Sequence, residues 1–140
     1  MTDENPSCLS HVSLGTNDLD RARQFYSKVL AVLGYKLLME HPGAAAFGRV
    51  YPEFWIQTPF DGKPASVGNG IHVGFAADSR GAVDAFFREA LAAGATADGD
   101  PGHRHEYSEA YYGCFVHDPD GNKIEATYWD WEIARKLGIG

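Results

Sequence analysis

His11, His72 and Glu125 carry side chains that bind first-row divalent metals, and each sits in a short segment whose polarity alternates from one residue to the next. Alternate residues of a strand share a face. His11 then lies with Ser13 and Gly15, opposite Val12 and Leu14. His72 lies with Gly74 and Ala76, opposite Ile71, Val73 and Phe75. Glu125 lies with Lys123 and Thr127, opposite Ile124, Ala126 and Tyr128. In every case the metal-binding type is on the face left free once the larger apolar residues pack beneath a helix. Gln57, next to Trp55 in the segment 53–58, joins that face. Two imidazoles and one carboxylate make a ligand set for zinc, nickel, manganese or ferrous iron, and three protein ligands leave positions open for water or substrate. A single histidine on a strand is more often a hydrogen-bonded structural residue. Two at equivalent places of a repeat, with a carboxylate on a third strand, point instead to a metal.

The equivalence comes from an internal repeat. One constant offset lays His11 over His72, Val12 over Val73, Phe25 over Phe86, Tyr26 over Phe87 and Leu30 over Leu91; Ile56 and Gln57 fall over Ile124 and Glu125 at a slightly longer offset. Each half opens with an alternating segment (9–15 and 71–77) and continues with an apolar stripe at helical spacing. The stripes are Ala22, Phe25, Tyr26, Val29, Leu30 and Leu33, then Val83, Phe86, Phe87, Ala90 and Leu91. Asn17 or Asp18 and Asp78 or Ser79 are suitable N-caps, and Gly34 and Gly94 stand where a helix ends. Strand candidates follow at 35–40, 44–50 and 53–58, and again at 95–98, 111–117 and 123–128. Each half reads βαβββ. The Gly- and Pro-rich segment 59–70 is the linker between a first module at about 7–58 and a second at about 71–128, together one domain spanning 7–128.

The 140 residues, 44% hydrophobic and 22% charged, suffice for one domain with its own core. A formal charge of −7 opposes binding to a phosphate backbone, so no nucleic-acid partner is expected. No apolar run approaches the ~20 residues needed to cross a bilayer, so no membrane partner is expected. The start, Met1 to Pro6, is acidic and polar rather than basic and then apolar, which gives a cytoplasmic expectation. Cys8 and Cys114 are read as reduced thiols.

The other polar residues divide into structural and pocket candidates. His103 and His105 alternate with Arg104 and Glu106 in a long segment, 98–109, expected to be either a solvated loop or a lid bringing a proton donor or an anion contact to the cleft. Ser13, Trp55, His105, Tyr107 and Tyr112 are the candidate lining of a substrate pocket; Tyr111 could join them or simply pack. His41, before a proline, and His117, beside Asp118, read as structural. In the tail 129–140, Trp129, Ile133 and Leu137 recur at helical spacing and should dock on this domain or on a second subunit.

The segments His11-Val-Ser-Leu with Asp18-Leu-Asp-Arg-Ala-Arg-Gln-Phe-Tyr26, His72-Val-Gly-Phe, and Asp118-Pro-Asp-Gly-Asn-Lys-Ile-Glu125 resemble the vicinal oxygen chelate superfamily, which includes glyoxalase I, bleomycin-binding proteins and extradiol dioxygenases. The resemblance covers residues 9–128. It implies an α+β fold with paired βαβββ modules forming one curved eight-stranded mixed sheet around a cleft, followed by a C-terminal helical tail. It also implies a divalent metal held by His11, His72, Glu125 and Gln57, a small-molecule substrate and a homodimer. The implied activity is metal-dependent and glyoxalase-like, with Glu125 as base. The implied alternatives are a protein that sequesters a drug or metabolite without chemistry, and a ferrous-iron extradiol dioxygenase. Gln57 stands where glyoxalase I has glutamate, and Gly15 stands where similar glyoxalases carry an arginine for glutathione.

Overall fold

A computed structural model describes residues 7–139; the acidic stretch 1–6 and Gly140, both included in the readings above, lie outside the described residues. The first module runs β1 (Val12–Gly15), α1 (Leu19–Ala31), β2 (Lys36–His41), β3 (Ala44–Gly48) and β4 (Phe54–Gln57). The second runs β5 (Val73–Ala76), α2 (Arg80–Ala92), β6 (Thr96–His103), β7 (Tyr111–His117) and β8 (Lys123–Trp129), with α3 (Trp131–Lys136) closing the chain. Asp18 and Ser79 cap α1 and α2 by accepting from the backbone N–H groups of Arg21 and Ala82. Gly34 and Gly94, at φ 87° and 106°, take the left-handed turn that ends each helix.

The two modules repeat one topology. Strand order is β1-β4-β3-β2 in one sheet and β5-β8-β7-β6 in the other; β1 runs parallel to β4 and β5 to β8, and the remaining neighbours are antiparallel. The paired-module α+β architecture and the C-terminal helix are as the sequence implied. The hydrogen bonding differs in one respect: it forms two four-stranded sheets rather than one continuous eight-stranded sheet. The cause lies at the facing edges. The Ala76 carbonyl of β5 accepts from the Tyr35 hydroxyl at 2.6 Å, and the Gly15 carbonyl of β1 accepts from the Asn122 side-chain amide at 3.1 Å. Each edge is thus met by a side chain of the opposite module, and β1 and β5 do not pair.

Two element boundaries also shift. The second module's extra residues partly extend β6, so His103 lies on a strand rather than in a loop. Trp129 ends β8, so the tail helix begins two residues later than the spacing of Trp129, Ile133 and Leu137 implied. It docks on its own chain through Ala134, fully buried, while Trp131, Leu137 and Ile139 stay exposed.

The helix-facing sides of both sheets share one core. Tyr26 of α1 meets Phe54 of β4 at 4.8 Å between centroids, and Phe54 meets Phe75 of β5 edge-on at 4.9 Å. Such contacts add roughly 1 kcal/mol each to area burial. The Tyr26 hydroxyl, fully buried, donates to Asp118 in the β7–β8 turn at 2.6 Å. That carboxylate also accepts from the backbone N–H groups of Asp120 and Asn122 and from the Asn122 side chain. Next to it Asp120 accepts from the Thr16 hydroxyl, the Asn17 N–H and Arg21. A turn of the second module is thereby tied to the first turn of the first module's helix.

Burial together with the Asp118 and Asp120 charges holds the Tyr26 phenol well above its ordinary range. The unfolded phenol ionises near pH 10 and the folded one does not, so the stability this group contributes is present below pH 10 and is lost as pH rises beyond it. Tyr26→Phe should lower the urea-unfolding free energy at pH 7 by about 1–3 kcal/mol, since Asp118 loses a buried donor. It should also flatten the decline between about pH 10 and 11. An unchanged urea midpoint would show that the clamp does not hold the modules together.

Candidate functional site

Glu125 is the best-connected polar residue on the open face of the second sheet. It is 8% exposed. One oxygen, Oε1, lies 3.0 Å from His72 Nε2; the other, Oε2, accepts from the Thr127 hydroxyl at 2.6 Å and from the Tyr111 hydroxyl. β5 and β8 are adjacent, with Gly74 opposite Glu125, and a Cβ at Gly74 would stand 3.3 Å from Glu125 Oε1. The bare backbone there lets the carboxylate lie over β5 toward His72. Gly113 has the same use on β7: its missing side chain is the space that the Tyr111 ring fills on its way to Glu125. Burial and the Glu125 charge raise the Tyr111 phenol far above its ordinary range, so Tyr111 remains a donor. His72 leans edge-on against Phe115 at 5.7 Å and is 46% exposed at its side chain.

Sequence reasoning placed His72 and Glu125 on one face, and the structure brings them together. It does not bring His11 or Gln57 to them. Gln57 donates to Ser13 at 3.5 Å on the open face of the first sheet, and His11 contacts Ser10. Among the described residues no group of three His, Cys, Asp or Glu side chains is disposed to hold a metal. His11 and His72 do border one cavity of about 380 Å³ at the seam between β1 and β5, with Val12, Phe54, Val73 and Phe75 in its walls. A second cavity, about 440 Å³, opens over His72 and Glu125 and includes Tyr107, Phe115, Arg104 and Lys123. Both volumes are within the usual range for small-molecule sites.

The pocket candidates separate. Trp55 stacks on His41 at 5.9 Å beside Ser13 and Gln57, and donates to the Pro52 carbonyl. Tyr107 lines the second cavity. Tyr112 does not: strand alternation puts it on the helix side, where it donates to Asp84 at 2.7 Å under the Arg80 guanidinium. His105 is also elsewhere, exposed and paired with Glu109 at 3.0 Å. The structural reading of His117 agrees with its bonds to the Gly121 carbonyl and to Asp98.

Sequence reasoning left Tyr111 open between pocket and packing and gave Arg104 no role of its own. The signal for Tyr111 was a Tyr-x-Gly pair on β7, but it acquires meaning only once the register sets Gly113 opposite Thr127 and Phe115 opposite Glu125. Cys114 is buried, its thiol pushed up to about 12 by desolvation, so it stays protonated and takes no part in the site.

Comparison with known proteins agrees with this architecture. The family model of the Glyoxalase/Bleomycin resistance protein/Dioxygenase superfamily matches residues 9–126. A crystal structure of a glyoxalase/bleomycin resistance protein from Albidiferax ferrireducens T118 is 37% identical, with a TM-score of 0.82, covering 87% of this chain and 99% of that one. Two further structures share the fold. One is a glyoxalase/bleomycin resistance protein/dioxygenase family enzyme from Burkholderia phytofirmans PsJN (20% identity, TM-score 0.68, 88% and 99% covered). The other is lactoylglutathione lyase from Agrobacterium tumefaciens (22%, 0.64, 97% and 100%). No curated protein matches the chain. With nearly the whole domain matched by the family model and a solved structure more than one-third identical, the chain belongs to the glyoxalase/bleomycin resistance protein/dioxygenase superfamily.

Proposed function

We propose that the chain is a metal-dependent enzyme of glyoxalase type, acting on a small substrate with two neighbouring oxygens. The observation that carries this reading is the meeting of His72 Nε2 and Glu125 Oε1 at 3.0 Å. Two ligands about 2.0–2.2 Å from one ion and at right angles to each other lie about 2.9 Å apart. The pair therefore suits adjacent positions on a divalent ion, and His11 and Gln57 are the residues to complete the set. A zinc, nickel, manganese or ferrous ion held there would supply Lewis acidity to the substrate's oxygens. Glu125 is then the base: it is the set's one carboxylate, whereas Gln57 is a neutral amide that can hold but cannot take a proton. Tyr111 and Thr127 position Glu125 by fixing Oε2, which leaves Oε1 turned toward His72. The arginine that similar glyoxalases use for glutathione is missing at Gly15, and the linker leaves no room for one: a Cβ there would be 2.9 Å from the Ala65 Cβ.

The separation of His11 and Gln57 from His72 and Glu125 within one chain supports a homodimer in which one subunit's first sheet faces the other's second sheet. The exposed Trp131, Leu137 and Ile139 of the tail add apolar surface for such a contact.

A second reading is a pocket that sequesters a small molecule without chemistry: both Glu125 oxygens have protein partners in His72, Tyr111 and Thr127, an arrangement that suits binding as well as catalysis. Oxygen uptake with catechols would single out the ring-cleaving alternative.

Calorimetric titration of the chelator-stripped protein with zinc, nickel, manganese and ferrous ion decides between enzyme and sequestering pocket. Wild type should bind at least one ion, His72→Ala should lose several orders of magnitude in affinity, and Gln57→Ala should lose less, because water can replace an amide oxygen. Equally weak binding by wild type and His72→Ala hands the lead to the sequestering reading.

Sedimentation at tens of micromolar should show a dimer. Mixing the His11→Ala and His72→Ala chains should then restore about a quarter of the metal sites, since a mixed dimer keeps one intact His11–His72 pair across its interface. No restoration would place both histidines of a site in one chain.

Tyr111→Phe should leave metal affinity within a few-fold of wild type while lowering turnover about tenfold, because Glu125 Oε2 loses a donor that positions it. Unchanged turnover would make Tyr111 a packing residue only.

A further inference from the structure

We propose that Arg104 is the anion-recognising residue of this site, and that the substrate carries a carboxylate or phosphoryl group which the guanidinium holds while the reactive end lies at His72 and Glu125. The inference rests on the reading of those two residues as the reactive end. Four observations support it. Arg104 lines the same cavity of about 440 Å³ as His72 and Glu125. It has no direct ion-pair partner: of the two carboxylates that line the cavity with it, Asp98 pairs with Lys123 at 3.3 Å and His117 at 3.1 Å, and Glu125 is engaged by His72, and among the described residues no carboxylate lies within ion-pair distance of Arg104. A half-buried arginine in a cavity with no carboxylate bound to its fork is the feature that attracts an anion.

The guanidinium is also seated rather than loose. Nη2 donates to the Asp100 carbonyl at 2.8 Å and Nη1 to the His103 carbonyl at 3.2 Å. Two glycines clear the seat: a Cβ at Gly99 would stand 3.2 Å from Nη2, and one at Gly102 would stand 3.3 Å from Nη1. An arginine has five N–H donors, so after these two bonds others remain for a ligand. Phe115 borders both ends: Arg104 lies 6.0 Å, His72 5.7 Å and Lys123 4.9 Å from its ring centroid. One substrate in this cavity can therefore touch both the fork and His72. Lys123 stays close enough to add attraction, and its partner Asp98 sets the limit on how much negative charge the cavity accepts.

The test uses the full-length, chelator-stripped protein and titrates inorganic phosphate and acetate separately, following backbone amide shifts of Gly99, Gly102 and Phe115 at low salt. Wild type should saturate with at least one of them, and the tighter anion names the group. Arg104→Met should weaken that binding by roughly 10- to 100-fold, the usual worth of a charge-assisted pair. Arg104→Lys should fall between, since an ammonium cannot reproduce the fork. Gly102→Ala, which keeps the charge but crowds its seat, should weaken binding several-fold and guards against a misfolded Met variant. Zinc titration of the same samples separates the two claims. Unchanged zinc affinity in Arg104→Met alongside lost anion binding supports the assignment. If wild type fails to saturate, or if Arg104→Met binds both anions as wild type does, the assignment is overturned whatever zinc does. A wild type that binds anions but no zinc overturns the metal reading and leaves Arg104 as the anchor of a sequestering pocket.

Discussion

Asp118 has its carboxylate buried between two modules, where an unpaired charge would cost several kcal/mol. Four donors offset that cost: two backbone N–H groups and one side chain of its own turn, and the Tyr26 hydroxyl from across the module boundary. Because three of the four belong to the turn Asp118-Pro-Asp-Gly-Asn122, the carboxylate fixes the turn, and the turn fixes the start of β8. Glu125 stands three residues along that start. The position of the candidate base therefore depends on a carboxylate that does no chemistry. The fourth donor carries the same constraint into α1, so the orientation of the first module is set by the group that orients Glu125.

Side chains that are absent matter as much. On the second sheet, Gly74 and Gly113 leave the space in which Glu125 and Tyr111 lie along the surface instead of standing out from it. Gly99 and Gly102 of β6 do the same for Arg104, the residue that follows the strand. Each polar group is thus held by contact with backbone on one side and a hydrogen-bond partner on the other, the condition for pre-organised recognition. Gly15 has a different effect: the linker closes over it through Ala65, and a cationic side chain is kept out of the first module's strand end.

The elements were legible because periodicity and capping agree. The two helical stripes, the caps Asp18 and Ser79 and the stops Gly34 and Gly94 are all present. Face assignment by alternation put His72 with Glu125 correctly, since both strands are regular where it was applied. It was not enough for the rest. Alternation alone separates Tyr111 from Tyr112, but only register reveals that Tyr111 reaches Glu125 over Gly113, and only the α2 contact reveals that Tyr112 is bound to Asp84. Arg104 and β6 were obscured by composition. Asp, Gly and Pro in 98–102 signal a loop, yet pairing with β7 imposes strand geometry, with register shifts that absorb the misfit. Whether β1 and β5 would pair was beyond any local pattern, because it turns on Tyr35 and Asn122 reaching across the module boundary.

The repeat also shows how one fold divides labour between its halves. Gln57 and Glu125 each lie beside the first strand of their module, Gln57 as the last residue of β4 opposite Gly15 and Glu125 as the third residue of β8 opposite Gly74. Around Gln57 the neighbours are Ser13, Trp55 and His41; around Glu125 they are His72, Tyr111, Thr127 and, farther along the cavity, Arg104, Lys123 and Asp98. An amide beside a serine can bind and orient but has no proton to exchange. A carboxylate fixed by two hydroxyls and facing an imidazole can do both. The two faces nevertheless approach each other at one place, because His11 of the first module and His72 of the second border the same cavity at the seam between β1 and β5.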